Sequence, residues 1–417
     1  MRFSGFDDEW KSYRIGDISK TYSGGTPSTS KKVYYYGNIP FIKSGEINKS
    51  CTEQYINEDA INNSSAKKVK KGDLLLALYG ATSGEVAISK IDGAINQAVL
   101  KIDNNMDNYF QYNYFLKYKE KIIHKYLQGG QGNLSANIIK KLEFKFPKME
   151  EQQKISRFLL LIDEKIQLLK KKHKEYQNFK KYLMQQIFTQ KLRFDFKDTW
   201  DKVLLKDVAF IPKKTKLTNI EGLKLLTVKL HTRGIEINDR IKPKLTKRGR
   251  PYYIRRSGEL LIGRQNFHNG GMGIVPKSLD GGICSNAISS FNVFEDKIDV
   301  NYLYYFLARP EYYIKSERLI GGTGQKEFSE KELLKLKIDL PSLEEQNKIV
   351  DFLSNIDHKI ELSENQLNKT QEFKKGLLQQ MFVVRINWRC NFKLAKSPSF
   401  NKHLLILKNK IIFIIIK

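Results

Sequence analysis

Residues 147–188 and 341–382 are two copies of one 42-residue segment, set 194 positions apart without a gap and identical at 21 positions. Chance does not produce such a match, so the chain is a tandem of two half-proteins rather than one continuous domain. The likeness extends outward from the copies. Arg2-Phe3 with Trp10 is echoed by Arg193-Phe194 with Trp200, and Ile15-Gly16-Asp17-Ile18 by Leu205-Lys206-Asp207-Val208. Gly72-Asp73-Leu74-Leu75-Leu76 parallels Gly258-Glu259-Leu260-Leu261-Ile262.

The repeated segment reads as a long helix. Ile155, Phe158, Ile162 and Ile166 in one copy, and Ile349, Phe352, Ile356 and Ile360 in the other, recur at steps of three or four. That is the seam of a helix that pairs with another. Pro147 and Pro341 mark the starts, and Glu150-Glu151 and Glu344-Glu345 fall where a helix dipole favours anions. Each copy predicts about 40 helical residues, or about 60 Å at ~1.5 Å per residue. An apolar seam of that length needs a partner, and the other copy is the nearest. The bland alternative is a core helix pair that serves stability alone.

The intervening parts carry short apolar runs between turn signals. Strands are predicted at Ile39–Ile42, Leu74–Tyr79, Val86–Ile88, Ala98–Ile102, Leu260–Gly263 and Ile288–Val293, with helices near Tyr109–Tyr126 and Val300–Leu307. Glycine-rich loops are expected at Ser23–Pro27, Gly129–Asn133 and Gly321–Gly324. Two α+β domains result. The chain divides as 1–146 (first domain), 147–190 (first long helix), 191–340 (second domain), 341–383 (second long helix) and a basic, Ile-rich tail at 384–417.

Charge narrows the partner. There are 73 Lys and Arg against 45 Asp and Glu, a net +28, and the excess is spread along the chain. Such a surplus acts on partners and points to a polyanion. With 41% hydrophobic and 12% aromatic residues the chain is not a disordered basic tail. Cys51, Cys284 and Cys390 lie far apart, which argues against a disulfide framework and suits the cytoplasm. No segment reads as a signal peptide or membrane span, so no membrane partner is expected.

Enzyme signatures are scarce. Neither GxxxxGK[ST], HExxH nor GxSxG occurs, and the six histidines show no metal spacing. Asn38-Ile39-Pro40-Phe41 is similar to the Asn-Pro-Pro-aromatic motif of amino-methyltransferases, but Ile takes its second position and no cofactor loop accompanies it. No catalytic or metal-binding residue is assigned.

Groove chemistry is better represented. In the first domain the candidate DNA-binding residues are Lys31, Lys32, Tyr34, Lys43, Ser44, Tyr79, Thr82, Gln128, Gln131 and Asn133. In the second they are Arg233, Arg248, Arg250, Arg255, Arg264, Gln265, Asn266 and Lys326. Lysine and arginine neutralise phosphates, whereas Arg, Asn and Gln can each bond two groups on a base edge. Arg264-Gln265-Asn266 places three such side chains together at a strand end, aligned with Tyr79-Gly80-Ala81 of the first domain. For a single lysine, a solvated face is the competing explanation; for Tyr34, packing within the fold.

The order of these features resembles the specificity subunit of Type I restriction–modification enzymes. Trp10, Ile15-Gly16-Asp17, Gly24-Gly25-Thr26-Pro27, Ile39-Pro40-Phe41-Ile42 and Lys71-Gly72-Asp73-Leu74-Leu75 resemble its target recognition domains, and 147–188 and 341–382 its two conserved regions. The resemblance implies two α+β recognition domains separated by two long helices that form an antiparallel coiled coil, a pseudo-twofold tandem repeat. Each domain would read half of a split double-stranded DNA target. The subunit would bind no cofactor itself. It would recruit two modification subunits, which bind S-adenosylmethionine, and two restriction subunits driven by ATP with Mg. An autonomous methyltransferase or restriction enzyme with degenerate motifs, and a coiled-coil scaffold that binds DNA without reading it, are the alternatives. The tail has eight Lys and Arg, no Asp or Glu and no family counterpart.

Overall fold

The computed structural model describes residues 2–127, 133–246, 249–316 and 327–382. Gln128, Gln131, Arg248, Lys326, the loop stretches 129–132 and 321–324 and the tail 384–417 lie outside the described residues. Helices Met149–Phe188 and Leu343–Met381 occupy the repeated segments. The chain forms two compact units, which part inside these helices rather than at their ends. One unit comprises 2–160 with 374–382; the other is Leu161–Phe373. Each therefore combines a globular domain, the start of that domain's own long helix and the end of the other repeat's helix.

In the first unit, strands Lys20–Ser23, Val99–Asp103, Leu74–Ala77 and Val86–Ile88 form an antiparallel sheet in that order. A second sheet joins Tyr55–Ile56, Ile39–Ile42, Gly93–Ile95 and Lys67–Val69, with Ile39–Ile42 and Gly93–Ile95 parallel. Helix Asn108–Leu127 packs on the first sheet. The second unit repeats the first plan with Ala209–Phe210, Ile288–Val293, Leu260–Gly263 and Met272–Ile274. Both central strands are fully buried, as their unbroken apolar runs require. Each follows a turn that needs positive φ, supplied by Gly72 (93°) and Gly258 (87°).

The repeated Glu-Glu-Gln is a joint. Glu150 and Glu344 stay exposed at the helix starts. Glu151 is buried and receives Arg2 through Nε at 2.8 Å and Nη2 at 2.6 Å. Glu345 receives Arg193 in the same fork, at 3.1 and 2.7 Å, and Trp200 Nε1 at 3.0 Å. The neighbouring arm phenylalanines meet the helices too: Phe3 on Phe158 at 5.6 Å and Phe194 on Phe352 at 5.7 Å, both edge-on. The rings of Phe158 and Phe352, expected at the helix seam, thus meet the N-terminal arm of their own repeat. The reason is that each arm delivers an arginine to the first turn and its phenylalanine follows.

The glutamines complete the joint. Gln346 accepts from Asp299 N at 2.9 Å and donates to Lys297 O at 3.0 Å and Pro341 O at 2.9 Å. Asp299 in turn caps helix Val300–Leu307. Gln152 does the same work with Asp107 N and Pro147 O. Gln346→Leu leaves one buried and two part-buried backbone groups without this partner, so denaturant unfolding should show a loss of about 2 kcal/mol, whereas an exposed Gln379→Leu should show almost none.

Within the second unit the two long helices pack together antiparallel. His173 Nδ1 lies 2.8 Å from Ser363 Oγ, and Lys180 Nζ donates to Asp357 Oδ2 at 2.8 Å, so partners fall as positions rise. Tyr305 of the domain donates to the same carboxylate at 2.7 Å. One core holds Leu183, Met184, Ile187 and Phe188 of the first helix with Ile349, Leu353 and Ile356 of the second, and Ile360 packs at its edge. Ile162 and Ile166 are buried in this unit, and Ile155 is buried in the first. Among the described residues no helix is long and apolar enough to cross a membrane, and no His, Cys, Asp or Glu cluster could hold a metal.

Candidate nucleic-acid interface

In the first domain the structure gathers Lys32 and Lys43 around an open cleft of about 490 Å³. Tyr36, three-quarters exposed, walls one side, and Gln54, Asn96 and Thr26 add amide and hydroxyl groups. Gln54 and Asn96 escaped the sequence reading because they are far apart in the chain. The pairing of Ile39–Ile42 with both Tyr55–Ile56 and Gly93–Ile95 brings their segments together. Lys31 is exposed and sits over the Tyr34 ring at 5.2 Å, and Ser44 is half-buried. Tyr34 itself is buried against Phe41, Ile56 and Ala60. Its ring is core, which corrects its assignment as a groove residue.

A second patch lies at the end of the central strand. Leu134 N donates to Leu78 O at 2.7 Å, which sets the exposed Asn133 beside half-buried Tyr79. Thr82 is half-buried in the turn that follows, and burial raises the Tyr79 hydroxyl above its ordinary pKa. None of these three lines the cleft.

In the second domain Arg264 begins the short helix Arg264–Asn269, directly after the central strand. Gln265 is half-buried and Asn266 exposed. The match with the first domain is one residue earlier than the sequence suggested. Leu78 N bonds Ala98 O as Arg264 N bonds Ala287 O, so Arg264-Gln265-Asn266 correspond to Leu78-Tyr79-Gly80. The register is the one that the alignment of Gly72–Leu76 with Gly258–Ile262 implies when carried on without a gap.

The hairpin between Leu226–Val228 and Ile235–Ile237 presses its tip on this short helix. His231 and Thr232 hold left-handed backbone, φ 58° and 54°, pinned by His231 N to Asn269 O and Thr232 N to Gly270 O, both 2.8 Å. A β-branched residue in that region is strained, and such strain concentrates at functional sites. Its effect is to hold exposed Arg233 in a hairpin tip that is pinned to Asn269 and Gly270. Arg250 is also exposed, with Arg240, Lys242 and Lys244 nearby in sequence.

Arg255 is a correction. It is 1% exposed, and its guanidinium donates to Ser290 Oγ and Ile288 O, each at 2.8 Å. Burial raises the nearby Glu259 carboxyl while Arg255 opposes that rise. The residue is an internal strut between strands and, so placed, does not face a duplex. Charge alone could not reveal this, because a buried arginine and a groove arginine look alike in sequence.

The geometry defines a class: duplicated α+β domains with polar and basic side chains near matched strand ends, each packed with the start of its own long helix and the end of the other repeat's helix. The family model for the Type I restriction modification DNA specificity domain matches residues 7–177 and again 197–372. The Type I restriction enzyme MjaVIII specificity subunit of Methanocaldococcus jannaschii is 24% identical, over 91% of this chain and 93% of its own length. The EcoR124I/EcoR124II specificity subunit of Escherichia coli is 28% identical over 38% of this chain and 42% of its own. The crystal structure of the Type I S subunit from M. genitalium covers 92% of this chain and 98% of its own, with a TM-score of 0.59 at 16% identity, a likeness of fold. The chain belongs to the Type I restriction–modification DNA specificity family, whose members are the non-catalytic, sequence-specifying subunits of these systems.

Proposed function

We propose that the chain reads a bipartite DNA target, one half with each domain, and assembles with two modification and two restriction subunits. The observation that carries this is the matched strand end. One backbone plan places buried Leu78, half-buried Tyr79 and exposed Asn133 in the first domain, but half-buried Arg264, Gln265 and Glu327 in the second. Unlike side chains on one scaffold are what two different half-sites demand. The paired helices would act as the spacer that sets the unread gap. Exposed Leu161, Leu168, Phe179 and Tyr182 fall on one face of the first long helix and offer an apolar stripe for partner helices. S-adenosylmethionine, ATP and Mg would be bound by those partners, and none by this chain.

The test is to sequence methylated bases in cells that carry the chain with a modification subunit. Adenine methylation should appear within two short sequence blocks separated by an unread gap, and the purified chain alone should methylate nothing. A single uninterrupted block, or methyl transfer by the chain alone, would sink the proposal.

A further inference from the structure

The second domain carries a pair of side chains that the first lacks. Phe328 N donates to Arg264 O at 3.1 Å, as Leu134 N does to Leu78 O in the first domain, so Glu327 stands where Asn133 stands. Phe328 and Phe267 are both buried and meet edge-on at 5.2 Å, which clamps the Glu327 backbone to the turn of Arg264. Arg264 Nη2 lies 2.7 Å from Glu327 Oε1, and Gln265 Nε2 donates to Glu327 Oε2 at 3.4 Å. The two charged side chains are 24% and 30% exposed, so each opens to solvent on one side. Arg264 Nε and Glu327 Oε1 are both buried, so only the outer atoms of the two side chains face solvent.

We propose that Arg264 and Glu327 together read one G·C base pair in the major groove. This rests on the DNA-reading role above and names its chemistry. The edge of a G·C pair presents two acceptors, guanine N7 and O6, and then a donor, cytosine N4. The Arg264 Nη groups offer two donors, and Glu327 Oε2 beside them offers the acceptor. An A·T pair presents acceptor, donor, acceptor. It would set adenine N6 against an arginine donor and thymine O4 against the carboxylate. The pair therefore selects by complementarity and by two like-with-like clashes. Glu327 also neutralises Arg264 before binding, which makes it a poor general phosphate ligand. Leu78 is 5% exposed and uncharged, so the first domain cannot present this set.

The test uses the full chain with its modification partner and maps methylated sites by sequencing. In the wild type, the half-site of the second domain is the half that stays constant when residues 1–146 are exchanged. It should contain an invariant G·C pair. Glu327→Gln should lower the preference at that position by about tenfold. Arg264→Gln should relax the same position, and the double variant should relax it no further, because the residues act as a unit. A half-site without an invariant G·C pair overturns the proposal. So do two variants that relax different positions, or a loss from Glu327→Gln that is uniform over all sequences at unchanged melting temperature. If Glu327→Gln does not fold, the wild-type half-site and Arg264→Gln still decide. A wild-type complex without sequence preference would instead refute the DNA-reading role itself.

Discussion

Phe382→Ala is expected to destabilise the first unit by about 3–5 kcal/mol, the range for removing a buried aromatic side chain. Phe382 is fully buried at the end of the second repeat, yet it fills the core of the first domain. Its ring meets Phe110 at 5.1 Å, Tyr114 at 5.2 Å and Trp10 at 6.2 Å. Its carbonyl accepts from Tyr118 Oη at 3.0 Å, a partner 264 positions away. Phe188 closes the second domain in the same manner, against Tyr302 at 5.8 Å, Phe306 at 5.6 Å and Trp200 at 6.4 Å. Hydrogen exchange separates the two cores. Phe382→Ala should cost protection in Leu74–Ala77 and Val99–Asp103, and Phe188→Ala in Leu260–Gly263 and Ile288–Val293. Equal loss in both sheets from either substitution would show that the helix ends do not serve opposite domains.

Exchanging residues 1–146 for the corresponding domain of a relative should change one half of the methylated sequence and leave the other half and the gap as they were. At about 1–3 kcal/mol per altered base pair, a half-site of several pairs shifts preference by orders of magnitude. Mapping methylated bases before and after the exchange reads the result directly. An unaltered target would reduce the domain to a non-specific DNA clamp, and a target altered throughout would mean that both domains read one stretch.

Elements with strong local pattern were legible in advance. The apolar runs at Ile39–Ile42, Val86–Ile88, Leu260–Gly263 and Ile288–Val293 are strands over those same residues, and Val300–Leu307 is a helix. Individual site residues were less so. Lys32 and Lys43 do share a cleft, and Arg264 does head a strand end, but Tyr34 and Arg255 point into the fold. Glu327 carries no sequence signal, since a lone acidic residue in a basic chain is indistinguishable from ordinary surface. Its value rests on contact with Arg264, 63 positions earlier, through a hydrogen bond that no sequence spacing announces.

Duplication, helix length and seam periodicity are written in the order of residues, because each depends on neighbours within a few turns of the chain. The exchange of helix ends, the burial of Arg255 and the meeting of Arg264 with Glu327 are not. They come from contacts between segments remote in sequence, where a side chain's role depends on whether its surroundings satisfy it internally or leave it open to a ligand.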